Sequence, residues 1–305
     1  STRVRSSAAS DVYKRQGLIF AVCYVLIQAG RTLYIIGVLG DHHLAANFKR
    51  IMGWFCISAV FWITGAILQG EWQILLWIIA AICDYTAPMH GFALPRLGRS
   101  DSSKEWTIEG HHLVERCQLF VIIAFGETLL MTGASLSEVE EWTPLVIISA
   151  VISFIGSLAM WWVYFDVSSE AGSRKIQEVK DPGKLGLIYN AIHIVLVGAL
   201  IICAVGDELI VAHPEQEMRA EVVFVLIIGP IVYILANSIY KYVTCRMLPL
   251  SHIIAVIALA LLLPWPYHIS LLTMNILVTS VFIFVIVFDM LFPNKGFKIK
   301  WEPKI

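Results

Sequence analysis

Glu127 lies deep inside an apolar stretch of helix length, residues 113–133. A charged side chain at the centre of a bilayer costs about 2.5–3.5 kcal/mol on insertion scales, so this carboxylate needs a partner, a water-filled cavity or a function. At about 100° per residue, His112, Arg116 and Glu127 fall on one helix face, and we expect that polar stripe to face protein. Glu127 is either a proton- or ion-linked carboxylate or a protonated acid hydrogen-bonded to a neighbouring helix.

Arg116 shares this face with Glu127 but lies roughly 16 Å from it along the helix axis, so the two side chains do not pair directly. A nearer acid, Glu115 or Asp166, is the expected partner of the guanidinium group. The alternative is that Arg116 anchors one end of the helix by extending its charged group to the membrane surface.

Three further polar residues, Asp84, His193 and Asn275, lie in other apolar runs. Pro88 has no N–H, so the Asp84 carbonyl loses its helical hydrogen bond, and a carboxylate beside a free carbonyl is a candidate cation or proton site. A simple kink with a solvated Asp is the alternative. Histidine changes charge near neutral pH when unperturbed, and His193 is either such a group or a hydrogen-bonded packing residue.

The histidine and cysteine patterns predict no metal site. His42 with His43, and His111 with His112, are adjacent pairs, and neighbours on a helix point about 100° apart. The six cysteines contain no CxxC pair and are interpreted as free, buried thiols. The sequence also has no G-x-S-x-G, H-E-x-x-H or phosphate-binding glycine motif. We therefore expect no cofactor, no metal and no enzymatic activity.

The composition is that of a polytopic membrane protein. The chain has 305 residues, of which 58% are hydrophobic and 15% charged, and its mean hydropathy is +0.76. The lipid bilayer is therefore its main partner, and a net charge of −1 argues against nucleic-acid binding. We predict an all-α bundle of about nine transmembrane helices. The runs lie near residues 17–39, 51–68, 72–94, 113–133, 143–165, 185–205, 222–243, 250–263 and 268–291.

Lysine and arginine alternate along the loops between these runs. Fifteen lie in one set of loops and in the C-terminal tail, whereas the other set holds only Arg219. The loops rich in lysine and arginine are at residues 40–50, 95–112, 166–184 and 241–249. The positive-inside rule places them and the C-terminus in the cytoplasm of a multi-pass protein of the bacterial inner membrane.

Three segments define the predicted organisation. Residues 1–16 have no signal-peptide core and are interpreted as a non-native or disordered leader. Residues 17–291 form the transmembrane domain, and residues 292–305 form a cytoplasmic tail. On this interpretation the chain is a fragment that lacks its true N-terminus.

Three blocks resemble the bacterial low temperature requirement protein A family, at residues 111–130, 161–166 and 189–208. The first is similar to the family signature H-x-x-E-R-x-x-L-F-x-I-I-x-x-G-E. The matched positions are His112, Glu115, Arg116, Gly126, Glu127, Tyr164, Phe165 and His193. The resemblance implies an integral membrane protein tied by name to growth in the cold. Family members usually open with an acidic helix and a Trp-bearing helix that this chain lacks, so part of a shared site would be missing.

The leading functional hypothesis is a secondary transporter or permease for a proton, an ion or a small molecule. Its polar midplane would be made by Asp84, Glu127, His193 and Asn275, on the expectation that the helices carrying the first three adjoin around one cavity. The alternative is a sensor or scaffold for the membrane state, with no transported substrate. An intramembrane enzyme ranks third.

Overall fold

The computed structural model describes residues 2–100, 110–166, 182–264, 269–292 and 296–298. These residues are helical apart from loops and a short two-stranded ribbon, which confirms the all-α polytopic architecture. The helices are α1 Thr2–Leu39, α2 Leu44–Leu68, α3 Gly70–Met89, α4 Gly110–Glu138, α5 Pro144–Phe165, α6 Pro182–Ala212, α7 Ala220–Val223, α8 Gly229–Cys245, α9 Leu250–Leu261 and α10 Leu271–Leu291. A π-helical turn, Phe224–Ile228, joins α7 to α8, and the strands are β1 Met247–Pro249 and β2 Gly296–Lys298.

All nine predicted runs are helical, and within the described residues eight helical stretches are long and apolar enough to cross a membrane. The third run ends earlier than predicted: α3 stops at Met89, and Gly91 and Phe92 take positive φ values of 60° and 49° that turn the chain back. The sixth run ends later than predicted, since α6 continues to Ala212. That extension brings Asp207 into the helix.

The chain divides into two compact units, residues 1–107 and residues 108–305. In the first unit α2 packs against both α1 and α3. The loop after α3 is held to α2 by two side chains, because Arg50 donates to the Leu97 carbonyl at 3.1 Å and Trp54 to the Ala93 carbonyl at 3.2 Å.

The second unit is built around α6 and α8. Helix α6 packs along α4 and α8, α5 packs on α10, and α9 fills the space beside α8 and α10. The start of α5 is set by Thr143, whose hydroxyl accepts a hydrogen bond from the Val146 N–H, and by Pro144 in the first turn. Many large hydrophobic side chains on these helices are exposed, as expected of a bundle whose outer surface contacts lipid.

Backbone pairing identifies which loops share an end of the second unit. Strand β1 pairs with β2 in antiparallel register, so the loop after α8 and the segment after α10 lie at one end. At the other end the α6–α7 loop meets the start of α10, where Leu271 N–H donates to the Gln216 carbonyl. This grouping agrees with the alternation of loops predicted from lysine and arginine.

The short helix α9 runs between these two ends. It begins directly after β1, and by Ser270, which is paired with Glu217, the chain has reached the opposite end. Its twelve residues cover only about 18 Å of the roughly 30 Å hydrocarbon core. Helix α9 alone is therefore too short to span the core.

Candidate intramembrane polar site

The polar stripe of α4 lies on the exposed face of that helix. The side chains of His112, Arg116 and Glu127 are all exposed, whereas Val121 and Thr128 lie on the buried face of the helix, where Thr128 contacts Ser157 of α5. Glu127 has no hydrogen bond or ion pair among the described residues. The expectation that this stripe faces protein is therefore wrong for the part of the chain that is described.

At the N-terminal end of α4, His112 Nδ1 lies 3.5 Å from Glu115 Oε2 in an exposed pair. Arg116 forms no ion pair with Glu115 or Asp166 in the described structure, which corrects the predicted partners. The physical reason is the spacing, since Glu115 and Arg116 are successive residues on a helix and point about 100° apart. The alternative, that Arg116 anchors one end of the helix by extending its charged group to the membrane surface, stays a prediction.

Asp84 ties together the three helices of the first unit. Its Oδ2 accepts hydrogen bonds from Tyr24 of α1 at 3.0 Å and from Trp62 of α2 at 3.1 Å. Its Oδ1 is buried without a hydrogen-bond partner. The carboxylate thus links the three helices through hydrogen bonds and is not a solvated group. Because Asp84 belongs to the first unit, its convergence with Glu127 and His193 stays a prediction.

His193 is buried in the core of the second unit, with 2% of its surface exposed. Its Nδ1 lies 2.7 Å from the Tyr189 carbonyl and its Nε2 lies 2.8 Å from the Tyr164 hydroxyl. A carbonyl only accepts, so Nδ1 is the donor to Tyr189. In a neutral imidazole the other nitrogen then accepts, and the Tyr164 hydroxyl donates to it.

Two more hydroxyls extend this arrangement into a ring of hydrogen bonds. The Tyr240 hydroxyl lies 2.7 Å from that of Tyr189 and also bonds to that of Tyr164. Because the Tyr164 hydroxyl donates to His193, it accepts from the Tyr240 hydroxyl. The Tyr240 hydroxyl in turn accepts from that of Tyr189. The ring joins α5, α6 and α8, and protonation of His193 would reverse the direction of the bond to Tyr164.

Asp207 forms a second buried site nearer the opposite end of α6. The residue is 7% exposed, and the hydroxyl of Ser153 lies near its carboxyl group. Ser153 Oγ in turn accepts from Asn275 Nδ2 at 2.9 Å, and Thr279 Oγ1 donates to Asn275 Oδ1 at 3.4 Å. A directed chain from α10 therefore ends on Ser153 of α5, near the carboxyl group of Asp207 on α6. Asp207, Asn275 and Thr279 line a cavity of about 30 Å³.

Glycines bring the helices together around this cavity. A Cβ on Gly156 of α5 would lie 2.9 Å from Thr279 Oγ1, and a Cβ on Gly206 of α6 would lie 2.9 Å from Leu226 of the π-helical turn. A methyl group at either position would force the facing side chain, Thr279 or Leu226, to move. The π-helical turn and Pro230 complete the wall of the cavity.

A third polar cluster lies at the end of the unit that carries the ribbon. Lys241 Nζ lies 3.2 Å from Asp289 Oδ2, and Ser251 Oγ donates to Asp289 Oδ1 at 2.5 Å. His252 is fully buried, with Nδ1 3.0 Å from Ser238 Oγ and Nε2 4.0 Å from Asp289 Oδ2. Helices α8, α9 and α10 are thus joined through one carboxylate.

Comparison with known proteins places this architecture in a family. Residues 3–287 match the family model described as bacterial low temperature requirement A protein (LtrA). The chain belongs to the LtrA family. It is 34% identical over 258 residues to the uncharacterized protein RA0937 of Rhizobium meliloti (strain 1021), an alignment that covers 83% of this chain and 62% of that protein. The chain thus spans less than two thirds of this relative. No solved structure gives a significant match.

The residues that match the LtrA signature lie in different places in the structure. Tyr164 and His193 meet in the buried ring, and Phe165 packs edge-on against Tyr164 with ring centroids 4.7 Å apart. Gly126 lines an apolar cavity between α4 and α5, while Glu127 beside it is exposed. The structure brings Asn275 into the Asp207 site and keeps it apart from Glu127.

Sequence reasoning missed Asp207 and the cluster around Asp289. The predicted sixth run ends at residue 205 and leaves Asp207 in the loop that follows, whereas the helix continues through it. Asp289 lay inside the last predicted run, and its distance from Lys241 in the sequence gave no sign of the pairing. Within the described residues no group of three or more His, Cys, Asp or Glu side chains could hold a metal ion.

Proposed function

We propose that this LtrA-family protein is a proton- or ion-linked transporter whose ion path runs through the core of the second unit. The observation that carries the proposal is a series of buried or half-buried ionisable groups between the two ends of that unit. Asp207 lies near the α6–α7 loop, His193 lies roughly 21 Å from it along α6, and Asp289 lies beside the ribbon. Buried ionisable residues in membrane spans mark ion and proton pathways.

The chemistry of these groups supports conduction more than simple cross-linking. A scaffold would leave Asp207 with a fixed partner of opposite charge, as Lys241 is for Asp289. Asp207 has neutral partners and borders a cavity, and the tyrosine ring at His193 is a chain of hydroxyls along which a proton could move. No enzymatic reaction is part of the proposal.

The orientation is part of the same proposal. The ribbon end, which carries the loop after α8 and the segment after α10, belongs to the lysine- and arginine-rich set of loops. We place this end in the cytoplasm of the bacterial inner membrane, with Asp289 on the inner side and Asp207 on the outer side.

A membrane-state sensor is the second candidate, and one feature favours it. A cavity of about 340 Å³ with mainly apolar walls lies between α4 and α5, where Gly126 and Ser157 leave space beside Trp161. Such a cavity suits an acyl chain. A sensor of this kind would respond to lipid composition or temperature without moving ions.

Ion flux in vesicles tests the proposal. The full chain would be reconstituted into liposomes with a trapped pH-sensitive dye, and a pH gradient imposed in Na⁺, K⁺ or choline salts. We expect flux above that of protein-free liposomes, lost in Asp207→Asn and retained in Glu208→Gln, a neighbouring half-buried carboxylate. Flux no greater than that of protein-free liposomes in every salt would refute the transporter and favour the sensor.

A further inference from the structure

We propose that the cavity beside Asp207 is a binding site for one monovalent cation of the size of Na⁺. The role of this cation as a coupling ion rests on the proposed function, but its binding does not. The groups that surround the cavity, its size and the charge balance around Asp207 each support the inference.

The oxygen atoms around the cavity are those that a small hard cation prefers. Asp207 supplies a carboxylate, Asn275 an amide oxygen and Thr279 a hydroxyl, and all three residues line the cavity. Ser153 and Thr279 hold the Asn275 side chain in place, since Asn275 Nδ2 donates to Ser153 Oγ and Thr279 Oγ1 donates to Asn275 Oδ1. Carboxylate, amide and hydroxyl oxygens without thiolate or imidazole favour alkali and alkaline-earth cations over transition metals.

The charge balance favours a single positive charge. Asp207 is the one carboxylate that borders this cavity, and no basic side chain lines it in the described structure. The buried ammonium group of Lys241 pairs with Asp289 at the other end of the unit. A buried carboxylate needs a counter-charge or a proton, and one monovalent cation neutralises it. Calcium sites usually supply more than one carboxylate, which this site lacks.

The size and construction of the cavity fit a small ion. About 30 Å³ of space accommodates a small cation with a water molecule, since one water needs about 10–15 Å³ by the same measure. The π-helical turn supplies Val225 and Leu226 to the wall. π-Helical turns widen a helix locally and are frequent at functional sites, and irregular backbone at a broken helix coordinates Na⁺ in transporters.

Thermal unfolding of the purified full chain in detergent tests binding without any transport assay. NaCl would be titrated against choline chloride at constant ionic strength, with KCl as a second cation, and direct binding measured with radioactive ²²Na⁺. A ligand that binds only the folded state raises the midpoint of unfolding in a saturable way. We expect such a rise with Na⁺ for the parent and for Glu208→Gln.

Two variants remove different parts of the site. Asp207→Asn should abolish the Na⁺-dependent rise, and Thr279→Val should weaken ²²Na⁺ binding by about tenfold or more. Thr279→Val keeps the buried charge unchanged and therefore gives a result even where Asp207→Asn fails to fold. Absence of a Na⁺-specific rise and of ²²Na⁺ binding in the parent would overturn the inference, as would a full response in Asp207→Asn.

The two proposals fail in different ways. If vesicle flux depends on Asp207 while the parent binds no Na⁺, the cation site is refuted and a proton-linked transporter stands. If Na⁺ binds at Asp207 and no flux occurs, the site stands and the transporter is refuted.

Discussion

The hydroxyl pair of Tyr189 and Tyr240 offers a quantitative test of the buried ring. The two oxygens lie 2.7 Å apart, and both residues are almost fully buried, with exposures of 1% and 0%. Tyr189→Phe and Tyr240→Phe each remove one hydroxyl while keeping the aromatic ring. The bond between them then appears as a coupling energy in a double-mutant cycle.

The expected loss of stability in each variant follows from the surroundings of the hydroxyl that it removes. Leaving a buried polar group unpaired costs about 1–3 kcal/mol, whereas hydrogen bonds in membrane bundles average about 0.6 and reach about 1.7 kcal/mol in such cycles. Tyr240 bonds to both Tyr189 and Tyr164, so Tyr240→Phe should destabilise more than Tyr189→Phe. We expect losses of about 1–2 kcal/mol for Tyr240→Phe and about 1 kcal/mol for Tyr189→Phe, with a coupling of about 0.6–1.7 kcal/mol.

Thermal unfolding of the purified chain measures these losses. For a folding unit of this size 1 kcal/mol lowers the midpoint by roughly 2–4 °C. Tyr34→Phe is the control, because Tyr34 is 74% exposed and should leave the midpoint unchanged. Additive effects of the two core substitutions, or single variants no less stable than the control, would refute the ring.

Three further predictions concern topology, packing and charge. In intact cells Glu138→Cys should react with a membrane-impermeant thiol reagent and Glu178→Cys should be protected; labelling of both from one side would reject the topology. Gly156→Ala should lower stability by about 1–3 kcal/mol. Gly198→Ala is the control, because its Cβ would meet no atom within 4 Å and stability should not change. Equal midpoints of thermal unfolding for the two variants would refute the close contact at Gly156. Lys241→Met should lower the stability of the protein by about 3 kcal/mol or more, because it leaves the half-buried Asp289 carboxylate without its cation. Thermal unfolding measures this loss, and an unchanged midpoint would refute the pairing.

The fold was largely predictable because each crossing helix needs a long apolar run, and such runs are visible in the sequence. Loop charges also predicted which loops share an end, as the pairing of β1 with β2 bears out for the second unit. Helix ends were less accurate, and the error at residue 205 removed Asp207 from consideration.

The site was harder to predict than the fold. Lipid is as apolar as a protein core, so hydrophobicity alone does not tell which face of a membrane helix contacts protein. On α4 the polar stripe with Glu127 is exposed, and small or apolar residues such as Val121 and Thr128 are buried against neighbouring helices. His193 and Asn275 were identified as polar residues in spans, but their partners lie far away in the sequence and needed the structure.

The central claim is that ions move through the buried acids of the second unit and not past the exposed Glu127. Currents on a solid-supported membrane after a pH jump test it most directly, with Asp207→Asn, Asp289→Asn and Glu127→Gln reconstituted at equal density and checked for folding by thermal unfolding. The account predicts that both buried-acid variants lose the pH-dependent current while Glu127→Gln keeps it. Loss of the current in Glu127→Gln, with full current in Asp207→Asn, would contradict the account.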